Sequence, residues 1–290
     1  MRMTRMCANT ANDDANIKHN LTYMKERLRK FIEKLGLKFL LFRYRKIRLV
    51  IFSYLKLPKE VKVLDNGNLI AIFNTRDFAT ANVCRYYLKD DVLDYEPQQK
   101  KTFIELAKQS KVIFDIGTQI GFYAILGAKL RAEKVIAIDV DKKFLEISKK
   151  QAKLNKVENK IEFIQTAIGE DDNIIEVENF NAVSRVKSIS LDSLCKNLNL
   201  WPDLIKIDIE GFELEAFKNA KELLKRKPKI ILALHPEFIK KRNKNPKEVL
   251  EILLENNYKI QSLDFLKGEE ITQNNLDKFL NSSNIDFICI

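Results

Sequence analysis

Histidine is nearly absent from this chain, with only His19 and His235, and cysteine is sparse, at positions 7, 84, 195 and 289. Two histidines are too few for a histidine-based metal site, and the cysteines show neither paired nor metal-type spacing. A disulfide framework is thereby excluded, and a reducing, cytoplasmic setting is expected. Long apolar runs are lacking too. The stretch from Met1 to Asn20 has no continuous apolar region of the kind a secretory signal needs and reads as a flexible tail. Further on, Arg43, Arg45, Lys46 and Arg48 interrupt an apolar run where a bilayer span would require roughly 20 apolar residues.

What is present suffices for a full core: 290 residues, 46% apolar and 31% charged. The charge is uneven. Between Leu21 and Lys59 twelve cations face only Glu26 and Glu33, a balance of +10 that holds nearly all of the net +11. Phe31, Ile32, Leu35, Phe39, Leu49, Ile51 and Phe52 interleave with those cations, so residues 21–59 read as basic amphipathic helices. Three roles compete for this extension: helices packed on the main domain with a solvated basic face, peripheral attachment to anionic lipid, or a grip on nucleic acid.

From Glu60 the pattern changes. Val61–Leu64 and Leu69–Phe73, joined through Asp65-Asn66-Gly67-Asn68, predict a hairpin that opens a cap region over 60–110. After an irregular piece, 98–107 reads as helix. Strands are expected at 111–116, 134–138, 161–166, 203–208, 230–234, 258–264 and 285–290, with a short hairpin over 174–177 and 184–189 and a helix over 191–198. Such alternation over 111–290 predicts a doubly wound α/β sheet of seven strands, Rossmann-like in plan. Its strand ends place Gly117, Asp139, Ala167, Asp208 and His235 along the edge where ligands bind.

The run Val112-Ile113-Phe114-Asp115-Ile116-Gly117-Thr118-Gln119-Ile120-Gly121 ends a strand on an acid and two glycines, and a second apolar run closes on Asp139. This is the pattern of a nucleotide-cofactor loop, with Asp139 placed to accept ribose hydroxyls. A dinucleotide loop carries glycine at the position of Asp115. A carboxylate there repels a pyrophosphate but suits S-adenosylmethionine, whose amino group and sulfonium are cationic. The second constellation is Lys206-Ile207-Asp208-Ile209-Glu210-Gly211-Phe212-Glu213. Period two turns Lys206 and Asp208 to one face, and a lysine inside a buried strand needs an anion, which Asp208 can supply.

With Tyr95-Glu96-Pro97, Ile189-Ser190-Leu191-Asp192-Ser193-Leu194 and Leu234-His235-Pro236, these elements resemble the FkbM-type family of S-adenosylmethionine-dependent methyltransferases, from about Tyr95 to the C-terminus. The resemblance implies a seven-stranded methyltransferase sheet whose last strand is antiparallel and inserted beside the fifth. It also implies O-methylation of hydroxyls on sugars, glycans or related metabolites. Two departures stand out: Thr118-Gln119 where the family has Ala-Asn, and Asp139-Val140 where it has an acid and proline. The cofactor residues are then Asp115, Gly117, Gln119, Gly121, Asp139 and Ala167. Asp208, ranked first, Glu210 and His235 are the candidate bases, while Glu213 and Lys206 are candidates for holding substrate. A divalent metal bridging Asp208 and Glu210 is a further reading. The rival functions are a scaffold protein with a vestigial pocket and a nucleic-acid methyltransferase. Against the latter, three acids at the mouth repel phosphate, and amino-methylating enzymes carry Asn or Asp, then Pro-Pro and an aromatic, where this chain has Asp208-Ile209-Glu210-Gly211.

Deleting residues 1–57 separates the roles of the extension. Binding to anionic vesicles that disappears with the deletion supports lipid attachment, and binding that is unchanged excludes it.

Overall fold

The structure, a computed structural model, describes residues 57–179, 182–263, 269–280 and 284–290. The chain divides into compact units Met1–Leu57 and Pro58–Ile290, and the second is described below. The tail expected over 1–20 and the basic extension expected over 21–59, apart from its last three residues, lie outside the described residues.

The expected hairpin forms from Glu60–Asp65 (β1) and Asn68–Asn74 (β2). Asn66 and Gly67 both have positive φ, 48° and 81°, the turn whose twist matches that of the flanking strands. Two short strands, Leu88–Lys89 (β3) and Val92–Leu93 (β4), extend the pair to a four-stranded sheet in the order β2-β1-β4-β3. The piece expected to be irregular also holds a helix, Phe78–Tyr87 (α1), whose start is fixed by Asp77 accepting from the Thr80 amide. Pro97–Ala107 (α2) then leads into the main sheet.

Among the described residues that sheet has eight strands rather than seven. Val112–Ile116 (β5), Lys134–Asp139 (β6), Ile161–Gln165 (β7), Leu204–Ile207 (β11) and Lys229–Leu234 (β12) are parallel and nearly all apolar, because helices cover both faces. Ile285–Cys289 (β15) runs antiparallel between β12 and Ile260–Ser262 (β13), as expected for the last strand. Glu270–Ile271 (β14) adds the eighth at the edge. A separate three-stranded sheet joins Ala167–Ile168 (β8), Ile174–Asn179 (β9) and Ala182–Ile189 (β10). The crossover helices that matter for the site are Phe122–Lys129 (α3), Lys142–Leu154 (α4), Glu213–Lys218 (α6) and Pro236–Lys241 (α8); between α4 and α6 lies Leu191–Leu198 (α5), capped by Ser190. Lys221–Lys225 (α7) follows α6, with two of its first amides bound by Asp192.

Strand β2 is an edge, and α4 covers it in an unusual way. Gln151 accepts from the Asn74 amide at 2.8 Å and donates to the Asn74 carbonyl at 2.7 Å. One turn on, Asn155 repeats the pair with Ile72, at 2.9 and 2.7 Å. Side-chain amides four residues apart lie above one another on a helix, so they mimic the neighbouring strand that the edge lacks. The small sheet is thereby tied to the main one. Gln151→Ala strands two backbone groups and is expected to cost about 3 kcal/mol, read as a lower denaturant midpoint with unchanged slope.

Candidate active site

Because β5, β6, β11 and β12 are parallel, their C-terminal ends share one edge, and Gly117, Asp139, Asp208 and His235 lie there as expected. The Gly117 and Thr118 amides both donate to the Ile138 carbonyl at 2.9 Å, folding the loop over β6. Gly117 has φ 82°, and a β-carbon on it would lie 1.8 Å from the Asp208 carbonyl oxygen. Gly121 is needed for a different contact: its β-carbon would meet Ser148 Oγ of α4 at 2.1 Å, so the glycine serves helix packing.

Asp115 is buried at the end of β5, and its Oδ2 accepts from Thr118 Oγ1 at 2.6 Å and the Ala124 amide at 2.9 Å. Thr118, one of the two departures from the family pattern, therefore holds this carboxylate in place. Burial pushes the Asp115 carboxyl up to about 6, against the pull of the Thr118 hydrogen bond. Asp139 accepts from the Gln119 amide and the Asp141 amide, both at 2.9 Å, one on each oxygen. Its carboxyl is likewise raised to about 6, chiefly by burial. Gln119 takes a left-handed backbone, φ 47°, to present that amide. Ala167 departs from the expected position. The third strand stops at Gln165, and Ala167 is drawn into β8, where it pairs with Ser188 of β10 and is buried.

The second constellation makes a chain of charges. Strand β11 stops at Ile207, so Asp208 is the first residue beyond it, its amide bound to the Ile116 carbonyl. Lys206 is 2% exposed, lies 3.3 Å from Asp208 Oδ2 and sits over the Tyr123 ring. Burial opposes its charge, but Asp208, Glu96, Asp286 and Asp115 outweigh that and hold it above the ordinary lysine range. His235 follows β12 directly. Its Nδ1 lies 2.9 Å from Glu213 Oε1 and its Nε2 3.7 Å from Asp208 Oδ1, with the ring stacked on Phe238. Burial lowers the imidazole pKa, yet the Glu213 hydrogen bond and the Asp208 and Glu210 carboxylates together raise it above the usual histidine value. Glu213, expected to contact substrate, is 0% exposed and instead holds His235 and the Gly211 amide. Lys206 is likewise too deeply buried to reach an acceptor. Glu210 is exposed at the mouth on a left-handed backbone, φ 47°; partial desolvation and Asp208 raise its carboxyl.

One participant was not singled out from the sequence. Glu96 precedes α2 with φ 42°, makes no side-chain cap on the helix, and accepts from Tyr123 Oη at 2.8 Å. Before a proline at a helix start an acid reads as a cap, so local pattern hides its inward turn.

Residues 77–260, more than half of the chain, match the family described as the methyltransferase FkbM domain. The chain belongs to that family. Ribosomal protein L11 methyltransferases are also similar: that of Dictyoglomus thermophilum is 40% identical over 65 residues, 22% of either chain. That of Caldanaerobacter subterraneus subsp. tengcongensis is 28% identical over 109 residues, 38% of this chain and 30% of that protein. The FkbM chain thus spans less than a third of the length of these curated relatives. Among solved structures, Methyltransferase FkbM from Methylobacillus flagellatus KT is 20% identical with a TM-score of 0.42, covering 62% of this chain and 44% of that one. The O-methyltransferase from Bacillus cereus in complex with SAH is 17% identical with a TM-score of 0.42, covering 72% and 85%.

The cofactor of this FkbM methyltransferase is S-adenosylmethionine, and the donor set fits it. Each Asp139 oxygen has one amide partner, leaving lone pairs for two ribose hydroxyls. The carboxylates of Asp115, Asp139 and Asp208 suit a cationic ligand and would repel a pyrophosphate. Among the described residues, no group of three or more His, Cys, Asp and Glu side chains is arranged to hold a metal ion. Since Asp139 titrates near 6, cofactor affinity measured by calorimetry is expected to be flat above pH 7 and to weaken as pH falls below about 6.

Proposed function

We propose that this FkbM methyltransferase methylates a hydroxyl of a sugar, glycan, glycolipid or related metabolite. The observation that carries the reading is the Glu213–His235–Asp208 array at the strand ends. A buried carboxylate on Nδ1 fixes the imidazole with Nδ1 protonated, which leaves the Nε2 lone pair facing Asp208 and the pocket mouth. That is the geometry of a general base. Asp208 was the first choice on sequence grounds, but it is already paired with Lys206, so His235 takes the proton and Asp208 stabilises the imidazolium that forms. Glu213 is a positioning residue.

The cofactor, when bound, supplies an activated methyl group on a sulfonium. The protein aligns the acceptor oxygen for in-line displacement and removes its proton at His235 Nε2. Acids at the mouth favour a neutral or cationic acceptor over a nucleic-acid backbone. A scaffold role predicts no cofactor binding, and a clear calorimetric isotherm for S-adenosylmethionine would end it.

The test is a methyl-transfer screen over oligosaccharides and glycolipid head groups, with nucleotide sugars as the anionic comparison. His235→Gln is expected to lower kcat by roughly 100- to 10,000-fold with cofactor binding intact. The rate should fall as pH drops through the His235 pKa, above about 6.5, because the base must be neutral. Full activity in His235→Gln would refute the assignment.

A further inference from the structure

We infer that Glu96 is a positioning residue for His235, acting through Lys206 and Asp208. The inference rests on the reading of His235 as the base and extends it to a residue that precedes the main sheet. From Glu96 to Glu213 the charges alternate: Glu96 carboxylate, Lys206 ammonium, Asp208 carboxylate, His235 imidazole, Glu213 carboxylate. Three links are close contacts: 3.3 Å from Lys206 to Asp208, 3.7 Å from Asp208 to His235 and 2.9 Å from His235 to Glu213. Glu96 is anchored at the far end by Tyr123 Oη at 2.8 Å, and the Lys206 ammonium sits over the same ring. Burial raises the Glu96 carboxyl, and Lys206 pulls it back toward the charged form.

Two features of Glu96 lack a local explanation. Its backbone is left-handed at φ 42°, ψ 67°, a conformation that L side chains other than asparagine and aspartate seldom adopt. It also stands at the N-cap of α2 without capping it, although a carboxylate there would gain from the helix amides. Both are accounted for if the carboxylate is required at Tyr123, over whose ring the Lys206 ammonium sits. One ammonium then serves two acids, so Asp208 is not drawn wholly toward Lys206 and stays opposite His235 Nε2.

Lys206 is in contact with Asp208 and feels the charges of Glu96, Asp286 and Asp115. His235 meets Glu213, Asp208 and Glu210 besides the Phe238 ring. Removing the Glu96 charge leaves Asp208, Asp286 and Asp115 to balance Lys206, and the share of Asp208 available to His235 falls.

With His19→Gln in the full chain, His235 is the single histidine, and its ring nitrogens are read by nitrogen-15 magnetic resonance. Glu96→Gln is expected to lower the proton affinity of the ring about three-fold. Glu96→Asp should restore part of it. Tyr123→Phe keeps the charge and loses only the anchor, so it should give a smaller change in the same direction. In an Asp208→Asn background Glu96→Gln should add nothing, because the route is already cut. His235 signals unchanged in Glu96→Gln, or an undiminished effect without Asp208, would overturn the inference. These spectra need no acceptor, so their outcome is independent of whether His235→Gln loses methyl transfer.

Discussion

The Asp208 carbonyl stands where a β-carbon on Gly117 would be, and this close approach ties the edge of the sheet together. At its start the loop after β5 is bound to the Ile138 carbonyl at the end of β6, while the Asp208 amide returns a bond to Ile116. The ends of three neighbouring strands are thus locked by main-chain contacts that admit no side chain at Gly117. The loop after β5 and the turn after β11 cannot move independently. Asp139 on one side and Asp208 on the other inherit their separation from that contact.

Around this junction the protein accumulates unfavourable features. Gln119 and Glu210 adopt left-handed backbones, and Asp115, Asp139 and Lys206 are buried ionisable groups. Each is stabilised by a partner of the right kind: amides for Asp139, a hydroxyl and an amide for Asp115, carboxylates for Lys206. Concentrated strain and buried charge of this sort are characteristic of a functional site on an otherwise apolar sheet. The lower part of the same sheet shows the contrast, with strands such as Lys229–Leu234 carrying little but branched aliphatic residues.

Much of this was legible from residue order. The Asn66-Gly67 hairpin, the helix over 191–198 and the strand ends at Gly117 and Asp139 follow from local turn chemistry and short-range periodicity, which act whatever the rest of the chain does. Helix α1 was less visible because its only strong signal is the Asp77 cap. The short pairings of β3, β4, β8 and β14 escaped because two-residue strands carry no period. At the site, residue types were readable but their partners were not. Glu213 and Lys206 read as substrate contacts, whereas burial turns both inward, and Glu96 stands in the residue order only as part of Tyr95-Glu96-Pro97, with no role of its own.

The sequence by itself determined the order of elements, the acid-and-glycine loop and the acidic stretch after β11, since those depend on neighbours within a few residues. Only the tertiary structure decided which distant partner these carboxylates meet. Glu96 lies 27 positions before Tyr123 and Glu213 22 before His235. Such pairings are set by where strands dock in the sheet and by how closely Gly117 lets them approach, and no local pattern encodes that distance.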